Sequence, residues 1–173
     1  MKLLSGLVAV LLTAVLLSSC KKGDDKSEDE ASAADIAKAE EFKTFVKDKQ
    51  FQVREYYSDT PIDYNKDDGE TTLETDLWPY VSLWIKDDQN LFDVAANQVT
   101  ITQNNDKMPG LADATIVRPI SIGADKTGAY FNFLNYQYNP LKYHLVEFTS
   151  NYFIVYADWT DGAKVFTKFA VLP

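Results

Sequence analysis

The chain has 173 residues, a formal net charge of −9, a single cysteine and a single histidine. That length accommodates one domain plus an extension. The acid excess, with Arg54 and Arg118 the only arginines, excludes a nucleic-acid surface, which needs clustered Lys and Arg to neutralise phosphates. One cysteine excludes an internal disulfide, and one cysteine with one histidine excludes a Cys/His metal cluster.

The chain opens with Met1-Lys2 and then an apolar run densest from Leu7 to Leu17. The run is shorter than the ~20 apolar residues a transmembrane helix needs, and it suits the h-region of a secretory signal. Leu17-Ser18-Ser19-Cys20 follows and resembles the lipobox of bacterial lipoproteins. The resemblance implies cleavage before Cys20, acylation of its thiol, and retention of residues 20–173 at a membrane. Residues 1–19 are then the signal peptide, and loss of Lys2 leaves the mature chain one unit more acidic. Residue 21 is Lys, not Asp, which is similar to lipoproteins sorted to the outer membrane. Lys21-Lys22-Gly23-Asp24-Asp25 also resembles the export tether of Bacteroidetes-type surface lipoproteins, so the expected place is the periplasmic face or the cell surface. Residues 21–35 hold six acidic and three basic side chains and no aromatic. Such a stretch cannot bury enough surface to fold, so residues 20–35 read as a flexible tether.

The folded domain is expected over 36–173. A helix is predicted near 33–48, with Ile36, Ala39, Phe42, Phe45 and Val46 on one face, Ser32 as N-cap and Asp35 in the first turn. The hydrophobic period then changes to two. Eight strands are predicted, at 50–57, 79–86, 91–102, 114–122, 129–136, 141–148, 152–159 and 164–171. Turn residues separate them: Asp87–Asn90, Asn104–Gly110, Asp125–Gly128, Asn139-Pro140, Thr149–Asn151 and Asp161-Gly162. Ala95-Ala96 is expected to form a bulge within the third strand, and Pro119 a bend in the fourth. Alternation in the last strands, such as Leu141, Tyr143 and Leu145 against Lys142 and His144, indicates antiparallel sheet with one wet face. Strands in sequence with short links predict an up-and-down barrel. The segment 58–78 breaks that rule, and loops of this length in a compact domain usually carry function.

Tyr143-His144-Leu145-Val146-Glu147-Phe148-Thr149-Ser150-Asn151-Tyr152-Phe153-Ile154-Val155, continued by Asp161-Gly162 and the strand to Val171, resembles the C-terminal strands of small lipocalin-like lipoproteins. The resemblance implies a mainly β fold: an eight-stranded antiparallel up-and-down lipocalin-like barrel with one short N-terminal helix. It also implies that 58–78 covers the barrel mouth. Lipocalins carry Gly-x-Trp in the first strand, where the Trp seals the barrel base. This chain has Lys49-Gln50-Phe51-Gln52-Val53 instead, which leaves Phe51 to fill that space.

No residue pattern supports catalysis. His144 lies beside Lys142 on the polar face and reads as a solvated surface residue, and no Gly-x-Ser-x-Gly is present. Asp63, Asn65, Asp67 and Glu74 have the spacing of a calcium loop, but Gly69 stands one place late for its sharp turn, so no metal site is assigned. The remaining candidates are aromatic. Trp84, Tyr143, Tyr156 and Trp159 are the residues expected to contact a ligand. The function expected from the sequence is non-catalytic, cofactor-free binding of a small apolar or amphipathic ligand by a barrel anchored through Cys20. The alternative is a surface glycan-binding or structural interaction module that uses exposed aromatics.

Overall fold

The structure, a computed structural model, describes residues 30–64, 72–111, 114–134 and 140–173. Cys20, the signal segment, most of the tether and the centre of the calcium-like loop lie outside the described residues.

Helix α1 spans Ala33–Val46. Ser32 caps it as its position predicts: Ser32 Oγ accepts from the Asp35 amide at 3.1 Å and donates to Asp35 Oδ2 at 2.5 Å. Lys47 turns to an extended ψ of 129° and Asp48 takes a φ of 58°, which ends the helix two residues before the predicted limit. Ala39, Phe42 and Val46 are buried, whereas Ile36 points outward and is 51% exposed.

Nine strands follow: β1 (Gln50–Ile62), β2 (Glu74–Asp76), β3 (Gln89–Asp93), β4 (Gln98–Thr102), β5 (Thr115–Asp125), β6 (Gly128–Leu134), β7 (Pro140–Phe148), β8 (Tyr152–Asp158) and β9 (Lys164–Val171). From β3 to β9 each strand pairs antiparallel with the next, β9 pairs with β1, and β1 meets β3. Eight strands therefore close into an antiparallel barrel, and β2 is an added strand on β1. Closure pairs β1 with β9 over most of its length and with β3 at two residue pairs, which leaves less open edge than a flat sheet would.

Two sequence assignments are corrected here. Residues 79–86 are not a strand; they form a 3-10 turn, Trp78–Tyr80, and a short helix α2, Leu83–Asp87. Pro79 has no N–H to give a ladder, and the Ser82 carbonyl accepts from the amides of Ile85 and Lys86. Val81, Leu83 and Ile85 would share one face of a strand. In the helical turn Leu83 instead faces solvent at 63% exposure, while Val81 and Ile85 turn inward. The predicted third strand, 91–102, is two strands. Asp93 Oδ1 accepts from the Ala96 amide at 3.0 Å, and Asn97 takes a φ of 53°, so Ala95-Ala96 sits in a reversal rather than a bulge. The two errors cancel in the count of barrel strands, and β2 is the ninth. The 58–78 segment is also more structured than a loop, since β1 continues to Ile62 and residues 74–76 form β2.

Residues opposite one another in the register share a face of the barrel. Val53 lies opposite Phe169, Tyr56 opposite Thr167, Phe131 opposite Tyr143, and Leu145 opposite Val155, all on the inner face. One end of the barrel is closed by α1. The Phe42 ring lies 5.1 Å from Phe153, 5.7 Å from Phe148 and 6.2 Å from Phe131. Phe51, expected to replace the missing Trp, is fully buried and meets Phe153 edge-on at 5.0 Å. Each such ring, taken from water, contributes roughly 1.5–3 kcal/mol. Lys38 ties the helix to the wall. Its Nζ donates to the carbonyls of Leu145 (3.2 Å) and Val146 (2.7 Å), where the register of β7 slips between Leu145 and Glu147. A second, smaller core of Ile62, Leu77, Ala163 and Val165 stands at the opposite end.

His144 is the third correction. It faces outward, as its alternation requires, but it is buried, at 7% exposure. Its ring stacks on Tyr156 at 4.7 Å and 12°, Nδ1 lies 3.3 Å from Thr127 Oγ1, and Nε2 lies 3.8 Å from Asp158 Oδ2. Burial holds the imidazole below its usual pKa, and Lys142 adds to the effect, against Asp158 and Asp125. Large neighbours on adjacent strands cover the ring, which alternation along one strand does not reveal.

Candidate ligand cavity

The barrel interior is not filled. Between the α1 plug and the opposite end lies a cavity of about 140 Å³. Its apolar lining comes from Val53, Phe92, Val99, Ile101, Phe131 and Phe169, which alternation along five strands directs inward. Tyr64, Val81 and Ile85 cover it from the long connection between β1 and β3. Of these three, only Tyr64 belongs to the 58–78 segment; Val81 and Ile85 come from the residues after it, where the sequence predicts a strand.

The lining is polar in part: Tyr56, Tyr143 and Thr167 group together, and Asn90 and Asp88 add an amide and a carboxylate. The Tyr56 phenol is raised above the ordinary tyrosine range by burial and then by Tyr64 and Tyr143. Burial, followed by Tyr64, pushes Tyr143 up to about 12. Both hydroxyls are therefore neutral at physiological pH and can donate as well as accept. A second chamber of about 240 Å³ shares Tyr56, Tyr143 and Thr167 with the first. Leu141, Ala157, Asp158, Trp159, Thr160 and Val165 complete its wall. Tyr64 links the two chambers, its ring lying 5.6 Å from Tyr56 and 5.5 Å from Trp159.

No protein-family model matches the chain, and no curated protein or solved structure is significantly similar to it.

Of the four aromatics expected to contact a ligand, the structure brings two together. Tyr143 lines both chambers, and Trp159 lines the second. Tyr156 instead faces outward, stacked on His144 and 5.7 Å from Phe166. Trp84 sits half-buried on α2 and is not part of either chamber's wall; its neighbour Ile85 is. Sequence reasoning missed Val53, Tyr56, Tyr64, Asp88 and Thr167. Alternation carried a signal for Val53 and Thr167, each in step with apolar inward residues. Tyr64 and Asp88 carried none, because the turn of α2 and the path of the long connection place them.

The outer aromatics form a row. Tyr130, His144, Tyr156, Phe166 and Tyr57 lie opposite one another in turn across five strands. The His144–Tyr156 pair is inclined by 12° and the Tyr57–Phe166 pair by 4°. Rings stacked this closely across strands spend their faces on each other and turn their edges to solvent. Lys142 Nζ lies 4.6 Å from the Tyr130 centroid and Lys164 Nζ 4.7 Å from that of Tyr156. The middle of this row thus serves cross-strand packing rather than ligand stacking.

Glu74, the twelfth position of the calcium-like segment, lies in β2, where its carboxylate accepts from the Tyr80 hydroxyl. Asn65, Asp67 and Gly69 lie outside the described residues.

Proposed function

We propose that this chain is a membrane-anchored lipoprotein whose lipocalin-like barrel binds a small amphipathic molecule without transforming it. The observation that carries the reading is the cavity of about 140 Å³, apolar on most sides and lined by tyrosine and threonine hydroxyls on one. An apolar cavity of about 150 Å³ is large enough for benzene, whereas drug-sized sites occupy roughly 300–1,000 Å³. The matching ligand is a single ring or short alkyl chain bearing one hydroxyl or amine. The ring rests among Phe92, Phe131 and Phe169, and the polar group meets Tyr56, Tyr143 and Thr167. A long fatty acid does not fit this cavity.

The anchor rests on Leu17-Ser18-Ser19-Cys20 and places the protein at the outer membrane, on its periplasmic face or at the cell surface. Two or more acyl chains at roughly 0.8 kcal/mol per buried CH₂ would retain it. From Cys20 to Ser32 the chain can span at most about 40 Å at ~3.5 Å per residue, a length that would let the barrel stand clear of the lipid.

Native mass spectrometry of residues 21–173 tests the binding reading, with phenol, indole and a short-chain alcohol as probes. One copurified or added molecule per chain is expected, weakened in Tyr143→Phe. No bound species with any probe overturns the reading. Cys20→Ala tests the anchor separately: the variant should be released or left unprocessed, and a mature membrane-bound variant would refute it.

A further inference from the structure

β1 is paired along only one of its edges for much of its length. Toward β9 the register runs from Phe51 to Ser58. On the other edge β1 meets β3 at Gln50 and Phe51 and β2 at Tyr57 and Ile62. The segment between β2 and β3 bridges the interval: Gln52 Nε2 donates to the Lys86 carbonyl at 2.6 Å, and the Leu77 amide donates to the Tyr56 carbonyl at 3.0 Å. This departure from regular pairing opens a groove of about 450 Å³ outside the barrel, faced by Arg54, Tyr57, Thr75, Asp76 and Trp78.

We propose that this groove is a carbohydrate-binding site that takes a pyranose ring against Trp78 and Tyr57, with its hydroxyls on Arg54, Asp76 and Thr75. Tyr57 ends the outer aromatic row, so Phe166 holds one of its faces, at 5.0 Å, and no ring among the described residues covers the other. Trp78 is held from one side by Lys86 Nζ, 4.9 Å from its centroid. Both rings are thereby fixed before a ligand arrives, which lowers the ordering cost of binding. The electron-rich ring face suits the C–H face of a sugar. Around the rings stand groups that match vicinal hydroxyls. The Arg54 side chain is exposed and makes no ion pair among the described residues. Asp76 Oδ1 accepts from the Trp78 amide at 3.1 Å, which leaves Oδ2 for a ligand hydroxyl. Thr75 adds an exposed hydroxyl.

Other occupants fit less well. A phosphate would meet one arginine beside the carboxylates of Asp76 and Glu55. A lipid chain would leave those charges desolvated. An extended peptide would need the free edge of β1, but the bonds to Gln52 and Tyr56 bind the bridging segment across that edge.

The test is a glycan array covering neutral, N-acetylated and uronic-acid oligosaccharides, probed with residues 21–173, then calorimetry with the strongest binder. Binding of at least one oligosaccharide is expected. Trp78→Ala and Arg54→Ala should each weaken it by about tenfold or more, while Trp78→Phe, which keeps a ring, should retain most of it. Circular dichroism and melting temperature establish that each variant is folded; both side chains reach solvent, so folding should survive. Absence of binding to any glycan at millimolar concentration overturns the proposal. So does wild-type affinity in folded Trp78→Ala and Arg54→Ala.

Discussion

Phe42→Ala tests whether α1 is a plug in the barrel or a helix resting on its end. Phe42 is fully buried and its ring meets those of Phe45, Phe131, Phe148 and Phe153, within 6.2 Å in each case. Truncation removes the transfer energy of the ring and leaves a void that its neighbours close only in part. Phe→Ala at such sites costs about 3–5 kcal/mol. The upper half of that range applies, because the Lys38 bonds to Leu145 and Val146 hinder α1 from sliding into the space. At ~3 °C per kcal/mol for a domain of this size, the melting temperature should fall by about 12 °C. Urea unfolding measures the loss as a lower midpoint at unchanged slope. Phe131 separates Phe42 from the ligand cavity, so the variant should also accept larger aromatic probes. A destabilisation below about 1.5 kcal/mol would refute the plug, since a ring held on four sides cannot be lost so cheaply.

Three further outcomes follow from the geometry. His144 has a folded pKa below its usual 6.5, so the unfolded chain takes up its proton first as pH falls. The contribution of neutral His144 is complete above pH 6.5 and is lost as pH drops toward the folded value. His144→Gln should therefore flatten the decline in stability as pH falls below 6.5, measured by urea midpoints; an unchanged slope would refute it. Lys38→Met leaves the Leu145 and Val146 carbonyls at the β7 irregularity without their donor and should cost about 1 kcal/mol, read from the same curves. Gly128→Ala should cost roughly 1–2 kcal/mol, because a φ of 111° strains any side chain even though the nearest atom, Asp35 Oδ1, leaves ordinary room at 3.7 Å. A melting temperature equal to wild type would count against that assignment.

The sequence by itself determined the local features of this protein. Alternation from Leu141 to Val171 placed three strands to within a residue or two, because side-chain period and strand geometry are the same quantity. Ser32 and Asp35 marked the helix start through a bond that spans three residues. Tertiary structure decided whatever depends on residues distant in the chain. Val81, Leu83 and Ile85 alternate like a strand, yet Pro79 breaks the ladder and they fall before and within a helical turn that puts Leu83 in solvent. His144 reads as solvated because its own strand is polar there, and Tyr156, its cross-strand partner on β8, covers it. The cavity exists because inward side chains from six strands fall short of filling the barrel. The groove exists because β1 and β3 part after two residue pairs. Each is a gap between surfaces, and a one-dimensional pattern records the surfaces but not the distance between them.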